Sequence, residues 1–197
     1  PFRAPRPKAA WHAVGCLECR NTGFRGRAGL YEILTMTDGI RKTTRLKRLI
    51  HDPKLLVMPA PFDPISAKLI QEAGFDAIQC TGFGMSAVHL GLPDYGFLGM
   101  TEMVALTQRI AEAVDIPVMA DGDTGFGNAV SAWYTVRAFE RIGCAGINIE
   151  DQQMPKRCGH LDGKTIVPID EAVAKIRACA DARQDGDFVI NARTDAL

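Results

Sequence analysis

The sequence lacks an excess of either charge. Its 23 Lys and Arg are matched by 23 Asp and Glu, so the broad basic field that draws a protein to nucleic acid is missing and no nucleic-acid partner is expected. It also lacks any apolar run near the roughly 18 residues that cross a bilayer, and no membrane partner is expected. The basic start has neither the apolar stretch nor the small-residue cleavage site of a secretory leader, which makes the cytoplasm the expected compartment. Closely paired cysteines are scarce: of six in the chain, only Cys16 and Cys19 are near neighbours, which argues against a secreted disulfide framework. Free thiols are expected, with Cys80, Cys144 and Cys179 in apolar patterns as core residues. What is present is a chain of 197 residues, 47% hydrophobic, enough for one sizeable core. It opens on Pro1 and closes on Leu197 directly after a strand-like run, so it is expected to be a fragment.

Residues 1 to about 45 differ from the rest, with many Arg and Lys and a glycine-rich stretch from Gly23 to Gly29. From Leu46, short apolar runs alternate with longer helical patterns. Strands are predicted at Leu55 to Pro59, Ala77 to Thr81, Val118 to Asp121, Ile147 to Glu150 and Phe188 to Ala192. Helices are predicted at Ile65 to Ala73, Glu102 to Val114, Ala129 to Ile142 and Ile169 to Ala182. Asp63-Pro64 and Thr101-Glu102 supply starts, and Gly74, Gly143 and Gly146 supply stops. Five consecutive βα steps imply a parallel α/β sheet. Polar residues collect at nearly every strand end, which favours a (β/α)8 TIM barrel over an open sheet with one switch point. Five units cannot close eight strands, so about three are expected to be missing after the fifth strand.

Four constellations sit at those strand ends. Asp121 and Asp123, in Asp121-Gly122-Asp123-Thr124-Gly125-Phe126-Gly127-Asn128, are hard oxygen ligands two apart, suited to Mg2+ that leaves other positions to water and substrate. A glycine-rich turn with solvated aspartates fits that motif about as well. A phosphate loop fits less well, because the Lys-Ser/Thr ending is absent. Glu150 ends the fourth strand, and Lys156-Arg157-Cys158-Gly159-His160 follows; adjacent cations favour a thiolate, and His160 can exchange a proton near neutral pH. A cysteine in a basic loop is more often incidental than catalytic, but a strand-end acid beside it narrows that gap. Thr81-Gly82-Phe83-Gly84-Met85-Ser86-Ala87, with Asp94 beyond, reads as a glycine-rich loop offering N–H groups to a carboxylate. Its likeness to a dinucleotide fingerprint is weakened by the lack of an acidic residue at the ribose distance. Arg193 can clamp a carboxylate or pair with Asp195 or another acid.

Taken in order and spacing, Pro59-Ala60-Pro61-Phe62-Asp63, Gly91-Leu92-Pro93-Asp94, Asp121 to Gly127, Ile149-Glu150-Asp151-Gln152, Lys156 to His160 and Ala192-Arg193-Thr194-Asp195 resemble the isocitrate lyase and phosphoenolpyruvate mutase superfamily. Within it, residues 46 to 197 are most similar to the methylisocitrate lyase-like branch. The resemblance implies a TIM barrel with Mg2+, or Mn2+ in its place, near Asp121 and Asp123, with Asp94 and Glu150 holding metal-bound waters. It implies a small dicarboxylate substrate touched by Thr81, Gly82, Phe83, Cys158, Gly159 and Arg193, and a homo-oligomer at full length. It further implies cleavage of a 2-hydroxy dicarboxylate such as methylisocitrate or dimethylmalate, in which Cys158 protonates the departing carbanion while Lys156, Arg157 and His160 set the thiol. Phe83 stands where methylisocitrate lyases usually carry another glycine. Phosphonate mutases, including carboxyvinyl-carboxyphosphonate mutases, and oxaloacetate decarboxylases of the superfamily are the alternatives.

Gly15 to Glu32, with Cys16-Leu17-Glu18-Cys19, is similar to the C-terminal region of type II secretion and type IV pilus assembly ATPases. Such ATPases often carry a zinc knuckle of two Cys-x-x-Cys pairs. Only one pair is present, so no stable zinc site is expected at Cys16 and Cys19. A join of unrelated coding sequences is expected, with Met36 as a start of the enzyme part. An interaction module derived from such an ATPase is the competing function of another class.

Overall fold

The computed structural model describes residues 40–196. The segment resembling secretion ATPases, its Cys16 and Cys19, and Met36 lie outside them. Among the described residues no helix is long and apolar enough to cross a membrane.

Four parallel strands, β1 (Ile78–Gln79), β2 (Val118–Asp121), β3 (Gly146–Glu150) and β4 (Val189–Arg193), pair in sequence order. The helices are α1 (Lys42–His51), α2 (Pro64–Glu72), α3 (Gly82–Leu90), α4 (Met100–Ala113), α5 (Ala129–Arg141) and α6 (Ile169–Ala182). The central strands β2 and β3 are buried along almost their whole length, as expected where helices cover a parallel sheet. Phe139, Phe188, Met103, Ile110, Val118 and Ile147 lie at the centre of that core.

Local chemistry explains most boundaries. Asp63 accepts from the Ser66 amide at 2.7 Å, and Ser66 Oγ reaches back toward the Asp63 amide at 3.2 Å. With Pro64 in the first turn, this capping box fixes the start of α2. Asn128 accepts from Val130 and Ser131 and starts α5. Gly74 and Gly143 end their helices with left-handed φ values of 87° and 86°.

Three expectations are corrected. Leu55 to Pro59 is not a strand; Gln79 N–H donating to the Pro59 carbonyl at 3.2 Å is its bond to β1, and prolines at 59 and 61 lack the donors a ladder needs. Thr81 to Ala87 is not a loop, because Gly82–Leu90 is helical, with Thr81 Oγ1 accepting from the Gly84 amide at 3.1 Å. Gly146 is not a helix stop: it opens β3, where a Cβ would lie 2.8 Å from Val189 and 2.9 Å from Met119 Sδ. The helix α1 also went unpredicted, and it spans the point near residue 45 where the sequence pattern changes. Its Thr43 and Thr44 hydroxyls donate to Asp185 and Asp187 at 2.7 and 2.6 Å, and Lys42 Nζ donates to the Val114 carbonyl at 2.7 Å.

Candidate active site

Parallel pairing puts the strand ends side by side: Asp121 is level with Asn148, and Glu150 with Arg193. Beyond them lies a cavity of about 420 Å3 lined by Thr81, Phe83, Asp94, Asp121, Glu150, Lys156, Cys158, Gly159, His160, Arg193 and Asp195. Ten of the twelve site residues expected from the sequence therefore face one space. The other two adjoin it. The Gly82 amide donates to Asp121 Oδ2 at 2.8 Å, and Asp123 Oδ1 is 2.5 Å from Lys156 Nζ. A larger cavity of about 460 Å3, between α6 and β4, shares Glu150 and Arg193 with this one, but most of its exposed surface is apolar, from side chains such as Ile169, Val173 and Ile176.

The turn after β2 is built to aim its carboxylates. Gly122 leaves no room for a side chain, because a Cβ there would be 2.6 Å from Ile147. Asp123 adopts a left-handed φ of 46°, a conformation aspartate tolerates better than most residues. Its amide donates to Asp121 Oδ1 at 3.2 Å. The chain is thereby bent so that the Asp123 side chain turns inward, where it is buried.

Lys156 is buried between Asp123 and Asp94, whose Oδ2 is 2.7 Å away. Burial pulls its pKa down, but Asp123 and Asp121 overcome that and leave it above the usual lysine value. Burial raises Asp123 to about 8, helped by Asp121 and opposed by Lys156. Burial likewise raises Glu150 to about 7, against the pull of Lys156 and Arg193. Arg193 Nη2 lies 2.5 Å from Glu150 Oε2 and 2.8 Å from Asp195 Oδ2, so the pairing with strand-end acids expected as the structural alternative for this arginine is present. Cys158 is buried at the cavity wall, its amide donating to the Asp94 carbonyl at 2.9 Å. His160 is exposed at the mouth.

The donor set suits a divalent cation. Five carboxylates (Asp94, Asp121, Asp123, Glu150 and Asp195) and two permanent cations (Lys156 and Arg193) meet here, a formal excess of three negative charges when all are ionised. Glu150 Oε1 is buried without a hydrogen-bond partner, an expensive state for a carboxylate oxygen. Among the described residues no three His, Cys, Asp or Glu side chains form a ready cage for a metal. A metal here would have to be held through one or two carboxylates, with water and substrate completing its shell, as Mg2+ commonly is.

Two residues of the site had no assigned role in the sequence reading. Gln152 appeared within a motif and Asp195 as a structural partner of Arg193; their mutual hydrogen bond of 2.8 Å depends on β4 lying beside β3, which spacing along the chain does not reveal.

Comparison with known proteins gives the family. Residues 46–197 match the family model described as phosphoenolpyruvate phosphomutase. The chain is 52% identical over 152 residues to 2,3-dimethylmalate lyase of Eubacterium barkeri, an alignment covering 77% of this chain and 53% of that enzyme. It is 44% identical over 169 residues to a probable 2-methylisocitrate lyase of Corynebacterium glutamicum, covering 86% and 54%. The solved structure of phosphonopyruvate hydrolase complexed with oxalate and Mg2+ superposes with a TM-score of 0.73 at 38% identity, over 80% of this chain and 54% of that one. The chain thus spans about half the length of the relatives it matches.

Proposed function

The chain belongs to the phosphoenolpyruvate phosphomutase family, and from that membership we propose that it is part of a Mg2+-dependent carbon–carbon lyase acting on a branched 2-hydroxy dicarboxylate. Its parallel sheet and helices correspond to part of the (β/α)8 barrel of that superfamily. Residues from about Arg41 onward form the lyase portion in this reading, since α1 is tied to the loop before β4. One observation carries the proposal: Cys158 lies in the same cavity as the carboxylate cluster and Arg193.

Asp121 and Asp123 would hold the ion, with Asp94 and Glu150 engaging its waters; Mn2+ meets the same donor set. When bound, the ion polarises the 2-hydroxy acid and stabilises negative charge on oxygen. Arg193 holds a substrate carboxylate, and Thr81 and Phe83, at the start of α3, line the same cavity. Carboxylates lining the cavity are the bases available for the hydroxyl proton. Loss of that proton lets the bond between C2 and C3 break, so that C2 becomes the ketone of a 2-oxo acid and its electron pair passes to C3. Cys158 then delivers its thiol proton to C3, with Lys156, Arg157 and His160 in the loop that positions it.

For the full-length protein, 2,3-dimethylmalate should yield pyruvate and propionate, and methylisocitrate, a related 2-hydroxy tricarboxylate, should also release a 2-oxo acid. Chelation should abolish release, and Cys158→Ser should lower kcat on the order of 10^2–10^4-fold, the range of a lost proton donor. Undiminished turnover in Cys158→Ser would remove the thiol from the chemistry. No 2-oxo acid from any branched dicarboxylate would overturn the reading.

A further inference from the structure

Gln152 is 1% exposed, stands two residues beyond the Glu150 carboxylate, and touches no open space. Its side chain is nonetheless fully engaged. Nε2 donates to the Arg157 carbonyl and to Asp195 Oδ2, each at 2.8 Å, and Oε1 accepts from the Arg157 amide at 3.0 Å. With both amide protons and the carbonyl in use, the orientation of the amide follows from its partners. Arg157 immediately precedes Cys158. Asp195 Oδ2 also accepts from Arg193 Nη2 at 2.8 Å.

The next residue of the loop rests on the same pair. A Cβ on Gly159 would stand 2.9 Å from Arg193 Nη2 and 3.2 Å from Asp195 Oδ1, so the loop backbone is seated against the end of β4. Gln152 grips both sides of that seat.

We propose that Gln152 is a positioning residue: it acts through Arg157 and Asp195 to hold the thiol of Cys158 at a fixed place relative to the Arg193 guanidinium. This rests on the lyase reading for its catalytic consequence, but not for its geometry. A glutamine that merely filled space would be replaceable by methionine, which has similar length and volume. A brace would not be, since methionine has neither the donors nor the carbonyl.

The test is made on the full-length protein with iodoacetamide, following each cysteine by peptide mass spectrometry. In Gln152→Met, Cys158 should be alkylated about tenfold faster or more as its loop opens locally, with Cys144 and Cys179 unchanged as reporters of the core. Turnover of Gln152→Met should fall by about a hundredfold in kcat while KM moves little, the mark of misplaced chemistry rather than lost binding. If Gln152→Met does not fold, Gln152→Glu supplies the measurement, because it keeps size and one acceptor while losing both donors. Cys158 alkylation within about twofold of the parent in the folded variant overturns the brace, since a freed loop exposes its thiol. A parent that releases no 2-oxo acid defeats the lyase reading instead and leaves the alkylation result to decide this one.

Discussion

At the C-terminal end of the sheet, Lys156 meets Asp94 and Asp123 with side chains no more than 8% exposed. At the N-terminal end, Arg41 and Lys47 meet Asp185 and Asp187 with the cations 64% and 46% exposed. Both groups join distant parts of the chain, and their pair distances are similar. The difference is water. Exposed pairs keep most of their hydration and contribute little, whereas dehydrating charges costs several kcal/mol per ion before any attraction is recovered. A stability argument has little to explain in the lower cluster, which costs little to keep. It does not account for the upper one, where hydrophobic side chains of equal volume would fold as well. Charge retained there despite its cost points to chemistry.

Three perturbations test that contrast. Lys156→Met should be the most damaging, because it leaves Asp94 and Asp123 buried without their cation; urea denaturation with chelator present should show a loss of about 3–5 kcal/mol. Mg2+ should restore part of it, while an equal loss with and without Mg2+ would argue against a cation site.

Glu150→Gln comes next. Because the folded carboxyl is raised to about 7 from an ordinary value of 4.5, the native state holds the proton more tightly. Glu150 therefore lowers stability as pH rises from about 4.5 through 7. The glutamine variant should lose that part of the pH dependence, an effect on the order of 1–3 kcal/mol near pH 8 without metal. Unchanged pH curves would show that Glu150 is not dehydrated as described.

Lys47→Met should be mildest, at about 1 kcal/mol or less and vanishing in high salt. Asp185 is held low by the Asp187 amide, Thr43 and Arg41 against the opposing effect of burial, and Asp187 is held low by Thr44 and Lys47. Their contribution is present above the ordinary carboxylate value, and is lost as pH falls below about 4. Amide exchange in α1 that speeds up in acid ahead of the core would report it. Protection surviving to global unfolding would mean that Leu46, fully buried, secures the helix without them.

Long periodic segments were legible in the sequence because packing and pattern agree there. The helix predicted from Ile169 to Ala182 has those bounds in the structure, and β2 runs from Val118 to Asp121 as read. Failure came where a local signal had a different tertiary cause. Gly82 and Gly84 suggested a loop, yet a Cβ on Gly84 would lie 2.7 Å from Thr81 Cγ2 and 3.0 Å from Phe62, so the glycine serves close packing of a helix. α1 is a short, mostly polar helix whose apolar side chains are confined to Leu46, Leu49 and Ile50, and it is joined to residues about 140 positions away by bonds such as Thr43 to Asp185 and Thr44 to Asp187. The candidate site was readable because polar side chains recur at strand ends, a one-dimensional trace of one face. Which of them touch was not, since Gln152 and Asp195 lie 43 positions apart and meet only through adjacent strands.

The segment that carries Cys158 leaves β3 and returns to α6 through a closed neck. Gln152 bridges Ile166, the Gln153 amide donates to the Thr165 carbonyl, and the Val167 amide donates to the Asp151 carbonyl. Its two ends are therefore joined before its tip begins. Such a segment behaves as a cassette: lengthening its far side changes closure entropy only slowly and leaves the stem in register. Glycine and serine inserted between Asp162 and Gly163 should leave the neck bonds intact and lengthen the tip, at the cost of the Lys164 bond to the Gly159 carbonyl, which makes this a place to graft a different rim onto the cavity.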